Sequence, residues 1–238
     1  MPDESVERTL VVAAHPDDID FGAAGTVATW TAAGINVTYC IVTDGQAGGF
    51  DPELPRTRMP AVRRAEQHAA ANLVGVEDVR FLGYVDGELE VTNELVRDLV
   101  RIIRQVRPHR MLVPSPDRWW DRLAASHPDH LAAGEAAVRA LYPFARNPFA
   151  FPELLAEEGL EDWVVAELWL MAVPDPNHAV DITDVVDKKI AAILAHESQH
   201  PQRDRVEPMM REYLGRNARR FGLAEGRLAE VFRVHATR

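Results

Sequence analysis

Through roughly its first 140 residues the chain alternates short apolar runs with segments of helical period, and this alternation limits the fold more than any other feature. TLVVAA (9–14) is apolar, β-branched and too short for a helix, which is the pattern of a strand buried on both faces. GTVATWTAAG (25–34) reads as a helix closed by Gly34, and INVTYCIVT (35–43) as the next strand, followed by the glycine-rich turn DGQAGG. MPAVRRAEQHAAANLVG (59–75) reads as a helix with Val62, Ala65, Ala69 and Leu73 on one face and Gly75 as its stop. DVRFLGY (78–84) is a strand. TNELVRDLVRIIRQV (92–106) is a helix whose Leu95, Leu99, Ile102, Ile103 and Val106 form an apolar stripe. HRMLVPSP (109–116) is a strand, and PDHLAAGEAAVRALY (128–142) a helix with proline at its first position. Strands separated by crossover helices imply a mostly parallel sheet with helices on both faces.

After about residue 143 the pattern changes. NPFAFPELLAEEGLEDW is loop or broken helix, while WVVAELWLMAV (163–173) and HAVDIT (178–183) read as strands. VVDKKIAAILAHESQ (185–199) reads as a helix capped by Asp184, the stretch from Arg203 to Leu228 as helical, and AEVFRVH (229–235) as a last strand or a docked end. The expectation is one α/β domain over 1–238, with a Rossmann-like core over about 8–143 and a C-terminal elaboration over about 144–238.

Composition narrows the function classes. The chain of 238 residues carries 26 Lys and Arg against 37 Asp and Glu, a formal net charge of −11, which argues against a general nucleic-acid binder. No apolar run spans a bilayer, and the acidic opening MPDESVERTL lacks a secretory profile, so the expected location is cytoplasmic and away from membranes. The single Cys40 excludes an internal disulfide and, with no Cys-x-x-Cys, a thiolate zinc site.

In an open α/β sheet, ligands bind beyond the carboxyl ends of the strands. His15, Asp17 and Asp18 of HPDD stand there after the first strand, with Pro16 stiffening the turn. Imidazole and carboxylate suit zinc, and adjacent aspartates whose side chains diverge can divide the work, one binding metal and the other reaching its water. A cation also removes the repulsion between them. SHPDH (126–130) follows another strand and opens a helix, so His130 in its first turn is placed to supply a third ligand and His127 to act on substrate. Each cluster alone has a plainer explanation. HPDD serves as a hydrogen-bonded turn, and Ser126 with Asp129 as helix-capping groups. The two clusters together favour a metal site. Arg63 and Glu66, three apart on a helix, read by themselves as a surface ion pair. Thr43, Asp44 and Gly45 lie at the next strand end, and Asp117 and Asp121 near a pocket rim. Trp119 and Trp120 suit either stacking on a sugar ring or packing in a core or subunit contact. His196 and His200 read as helix-end residues.

AHPDD, TDGQAGG and HPDH in this order and spacing resemble the zinc-dependent de-N-acetylases of the PIG-L/LmbE-like family, which includes enzymes deacetylating N-acetylglucosaminyl-inositol and N-acetylglucosaminyl-malate. VRRAEQHAAANLVGV, FLGYVDGEL, AHESQ and AEVFRVH extend the similarity, the last two toward the bacillithiol-type branch, so it covers most of the chain. The resemblance implies zinc on His15, Asp18 and His130, with iron, cobalt and nickel also suited to these ligands. It implies Asp17 as general base, His127 as a charged or proton-donating partner of the tetrahedral intermediate, and Arg63 and Asp86 as holders of sugar hydroxyls. The implied substrate is a small amino-sugar conjugate, and the implied assembly a homo-oligomer, trimer or hexamer. Two departures stand out. Ile19 and Asp20 follow HPDD where many members have Glu, leaving Asp20 as a supporting acceptor or a surface cap, and no tyrosine precedes HPDH in DRWWDRLAASHPDH. A mycothiol S-conjugate amidase with the same chemistry is the enzymatic alternative. A non-catalytic sugar or nucleotide binder is the other, although no Gly-x-Gly-x-x-Gly follows the first strand.

Overall fold

The computed structural model describes residues 1–237. Seven strands form one sheet: β1 (Arg8–Ala13), β2 (Asn36–Thr43), β3 (Asp78–Tyr84), β4 (Arg110–Pro114), β5 (Glu167–Met171), β6 (His178–Asp181) and β7 (Ala229–Ala236), in spatial order β3-β2-β1-β4-β5-β7-β6. The first five pair in parallel, and β7 runs antiparallel to both β5 and β6. The expected α/β class with a mostly parallel sheet is what the chain adopts.

The apolar pattern explains the layering. Inward-facing residues of α4 (Asn93–Val106) and α5 (Pro128–Arg139) cover one face, where Leu95, Leu99, Ile103, Ala133 and Ala137 pack with Leu10, Val12 and Val113. The predicted stripe on α4 is buried throughout, each large side chain contributing about 1.5–3 kcal/mol by leaving water. Thr92 caps this helix, its Oγ1 accepting the Leu95 N–H at 3.1 Å. On the other face lie α2 (Ala24–Ala32), α3 (Met59–Leu73) and α7 (Val186–Leu194), with Trp30, Tyr39, Ala71, Trp169 and Phe232 in the cluster. Short α1 (Asp18–Gly22) follows β1, α6 (Pro152–Ala156) lies in the 144–166 connection, and α8 (Val206–Arg220) packs on α7 through Met210 and Leu214.

Four local expectations need correction. The buried face of α3 carries Met59, Arg63, Gln67, Ala70 and Ala71, whereas Ala65, Ala69 and Leu73 are exposed, because this helix turns two polar side chains toward the end of β1. The strand expected over 163–173 is only Glu167–Met171, which matches the five residues of β4 it pairs with. The helix expected over 185–199 ends at Leu194, since His196 turns inward to Asp20 and Ser198 to Glu66. Asp184 caps nothing: α7 is entered through a turn at Thr183–Val185, in which Asp181 Oδ1 accepts the Thr183 N–H at 3.0 Å.

The order β3-β2-β1-β4-β5 reverses direction between β1 and β4, and the crevice beyond their carboxyl ends is where such sheets bind ligands. Both histidine-aspartate clusters fall there, one after each of these strands.

Candidate metal centre and active site

Pro16 and the left-handed Asp17 (φ 94°) turn the chain sharply from β1 into α1. Positive φ is uncommon away from glycine, and aspartate tolerates it better than most residues. The turn separates the paired carboxylates as expected. Asp17 faces α3, where Arg63 Nη2 lies 3.1 Å from its Oδ2. Asp18 faces α5, with Oδ1 3.0 Å from His130 Nε2, while its Oδ2 accepts the His15 N–H at 2.8 Å.

Donor atoms of His15, Asp18 and His130 all lie within 4.8 Å of one another. His15 Nδ1 and His130 Nε2 are 3.2 Å apart. Each ring has its other nitrogen engaged: His15 Nε2 by Asp129 Oδ2 and Asp86 Oδ1, both at 3.1 Å, and His130 Nδ1 by the Ala125 carbonyl at 3.4 Å. Donating a proton outward on each ring leaves two lone pairs and a carboxylate aimed at one point. Acceptors converging in this way fit a divalent transition metal. A second grouping, His15, His127 and Asp129, is already satisfied internally. There Asp129 Oδ2 accepts the Gly87 N–H at 2.7 Å, and His127 Nδ1 accepts the Asp129 N–H at 3.2 Å.

The two aspartates are also driven apart electrostatically. Burial pushes the Asp17 carboxyl up to about 6, against the pull of Arg63 and with the help of neighbouring Asp18. For Asp18 burial acts in the same direction but is outweighed by His130 and His15, which hold it well below the usual carboxylate range. Burial alone would lower His15, yet Asp18, Asp129 and Asp86 raise it to about 12, and His130 is raised in the same way, chiefly by Asp18. The centre therefore demands positive charge. His127 is the exception, lowered by burial and by the charge on His15. Its Nδ1 faces the Asp129 N–H as the cap of α5, which leaves Nε2 as the ring nitrogen that can carry a proton toward the site.

The two residues expected to hold sugar hydroxyls both have partners within the chain. Arg63 is 3% exposed, its Nη2 on Asp17 and on the Pro16 carbonyl, so it orients Asp17. A Cβ on Gly48 would stand 2.3 Å from Arg63 Nη1, which shows how closely the loop after β2 backs this guanidinium. Asp86 divides its oxygens between His15 Nε2 and the Ala47 N–H (3.0 Å). Arg63 and Glu66 do not pair, since Glu66 accepts the Ser198 N–H and hydroxyl at 2.7 and 2.8 Å. Asp44 turns away onto Arg64, 2.8 Å from its Nη2.

Two important residues lay outside the sequence prediction. Asp129, read as a capping group, is buried and orients His15. His196, read as a helix-end residue, is fully buried with Nε2 2.8 Å from Asp20 Oδ2, so Asp20 is a supporting acceptor. The AHESQ segment was the one signal for His196. Beside Asp18 and His130 lies a cavity of about 670 Å³, walled by Phe21, Trp119, Met171, Met210 and Tyr213, with Asp121 and Arg122 also lining it. Trp119 thus faces the cavity, whereas Trp120 is 77% exposed.

Among the described residues, no helix is long and apolar enough to cross a membrane. Residues 10–141 match the PIG-L family model, described as GlcNAc-PI de-N-acetylase. The chain is 34% identical to the diacetylchitobiose deacetylase of Thermococcus kodakarensis, across 98% of this chain and 84% of that protein. It is 29% identical to the 1D-myo-inositol 2-acetamido-2-deoxy-alpha-D-glucopyranoside deacetylase of Rhodococcus erythropolis, across 82% of each. The solved structure of N,N'-diacetylchitobiose deacetylase from Pyrococcus horikoshii, complexed with its inhibitor MPG, superposes with a TM-score of 0.89 at 31% identity, covering 98% of this chain and 85% of that one. With its His/Asp/His group beyond the switch point of the sheet, this chain belongs to the PIG-L family of de-N-acetylases and is an amidohydrolase.

Proposed function

We propose that the protein hydrolyses the acetamide of an N-acetylglucosamine-type conjugate at the centre formed by His15, Asp18 and His130, with Asp17 as general base. The observation that carries this reading is the division between adjacent carboxylates, Asp18 among the imidazoles and Asp17 on Arg63 with its proton affinity raised to about 6. Two carboxyl groups with opposed proton affinities in one site are the mark of separate roles.

A divalent transition metal on these donors, with zinc the best match, supplies Lewis acidity that polarises an amide carbonyl and acidifies water. The chain's own groups do the rest. Arg63 holds Asp17 Oδ2, so the other oxygen of Asp17 takes the proton of the attacking water. His127 offers Nε2–H to the carbonyl oxygen as negative charge grows there, its tautomer fixed by the Asp129 N–H at Nδ1. Asp17, now protonated, returns the proton to the departing amine, giving acetate and the free amino sugar. Asp129 and Asp86 keep the proton of His15 on Nε2, leaving Nδ1 as the ligand atom. The cavity walled by Trp119, Met210 and Tyr213 adjoins Asp18 and His130 and is roomy enough to hold the remainder of a conjugate. The relatives named for chitobiose and inositol conjugates share N-acetylglucosamine, and this common unit is assigned here as the recognised group. Residues 144–238 act with the core as one unit, because β5 and β7 extend its sheet.

The test is acetate release from a panel of N-acetylglucosamine conjugates by wild type and Asp17→Asn, with bound metal measured in both. The variant should keep its metal and lose activity. Full activity with the metal retained would reject Asp17 as the base.

A further inference from the structure

Asp17 is held in its left-handed conformation by buried side chains that are neither metal donors nor part of the cavity wall. Its backbone N–H donates to Gln67 Oε1 at 2.9 Å, and the same amide donates from Nε2 to Asp20 Oδ2 at 3.0 Å. His196 Nε2 reaches that Asp20 oxygen at 2.8 Å. Gln67, Asp20 and His196 are all fully buried, and they come from three elements: α3, α1 and the turn after α7. Helix α1 has only five residues, too few to hold its own shape. A separate clamp secures its backbone, with Lys189 Nζ donating to the Asp20 and Phe21 carbonyls at 2.7 Å each. Lys189 also pairs with Glu230 at 2.7 Å, and Glu230 accepts the Gly25 and Thr26 N–H groups. With the helix backbone fixed in this way, the line His196–Asp20–Gln67 ends on one atom, the Asp17 amide nitrogen.

We infer that His196, Asp20 and Gln67 are positioning residues for Asp17, setting the angle at which its carboxylate meets the attacking water. The inference rests on Asp17 being the base. Both atoms of the Gln67 amide are committed, so its orientation is fixed, and replacing His196 leaves Gln67 as the one side-chain donor on Asp20 Oδ2, which is then free to shift together with it. Buried polar groups are costly unless bonded, and here Asp20 Oδ2 takes both the His196 and the Gln67 contact, so each residue of the line is joined to the next up to the residue the reaction uses.

The test compares His196→Leu, His196→Gln and Gln67→Leu in the full-length, metal-loaded protein, with Asp17→Asn alongside. His196→Leu and Gln67→Leu should lower kcat by about 10- to 100-fold, the scale of a small misplacement of a catalytic group, with KM and metal content unchanged. His196→Gln, which retains an N–H donor, should recover most of the loss. Wild-type kcat in His196→Leu or Gln67→Leu would overturn the inference. So would a fall in kcat that tracks metal content, an equal loss in His196→Gln, or failure of all three variants to fold, which would show that the line supports the fold. Activity in Asp17→Asn would instead remove the assigned base itself, whatever the His196 variants do.

Discussion

Asp129 Oδ2 lies 3.1 Å from Nε2 of His15, on a side chain only 1% exposed that also takes the Gly87 N–H. The carboxylate thereby engages the outer ring nitrogen of a histidine at the end of the neighbouring strand. Partners of this kind typically change metal affinity by about 10- to 100-fold. Asp129→Ala should weaken metal binding by that amount in a chelator competition titration, and Asp129→Asn, which keeps an acceptor, by less. Wild-type affinity in Asp129→Ala would show that Asp86 alone suffices to orient the ring.

The acid limb of activity should belong to Asp17. Burial raises its carboxyl to about 6, opposed first by Arg63. A base works only when deprotonated, so kcat/KM should fall by about tenfold per pH unit once the pH drops below that pKa. A bound cation favours the carboxylate and places the limb at or below pH 6. Removing the Arg63 cation disfavours the carboxylate, so Arg63→Met should move the limb to higher pH and Arg63→Lys should largely restore it. A pH–rate profile of each variant checks the sign. A limb unmoved in Arg63→Met would mean that another group titrates.

How far the sequence disclosed the molecule follows from the range of the forces involved. The strand-helix alternation and the stripe Leu95, Leu99, Ile103 on α4 are periodic and local, and they were readable. HPDD and HPDH were readable because the spacing places each after a strand in the same crevice. Asp129 and His196 were not, because their partners lie 114 and 176 residues away and no local pattern reports such a contact. The exposed Ala65 and Ala69 of α3 misled in the opposite direction. Apolar spacing suggested a buried face, but Arg63 and Gln67 are drawn inward by the site. Arg63 and Asp86 stand at the site as expected, but their contacts to Asp17 and His15 were not legible, since sequence shows which residues are near a site and not which polar atoms they already meet.

Stability and catalysis should separate at Leu99, a fully buried side chain on α4, which covers one face of the sheet and contributes no group to the site. Leu99→Ala should cost about 2–5 kcal/mol through lost burial and a residual cavity. Chemical denaturation should record that loss while kcat at a temperature well below the midpoint stays at the wild-type value. A large fall in kcat in the folded variant would mean that α4 controls the geometry of the crevice.

Gly134 should couple the two. It sits in α5, one turn beyond His130, where a Cβ would stand 2.4 Å from the Pro114 carbonyl oxygen at the end of β4. The obstacle is backbone, so no side chain can rotate aside, and α5 must move off the strand. Overpacking of this kind costs about 1–3 kcal/mol. Because the same helix begins with the cap His127 and carries His130 in its first turn, the displacement reaches the metal donors. Gly134→Ala should therefore lower the denaturation midpoint and weaken metal binding together, whereas Leu99→Ala lowers only the first. Calorimetric metal titration of both variants at matched folded fraction tests this, and unchanged affinity in Gly134→Ala would show that the start of α5 is held by His127 and Asp129 independently of its packing on β4.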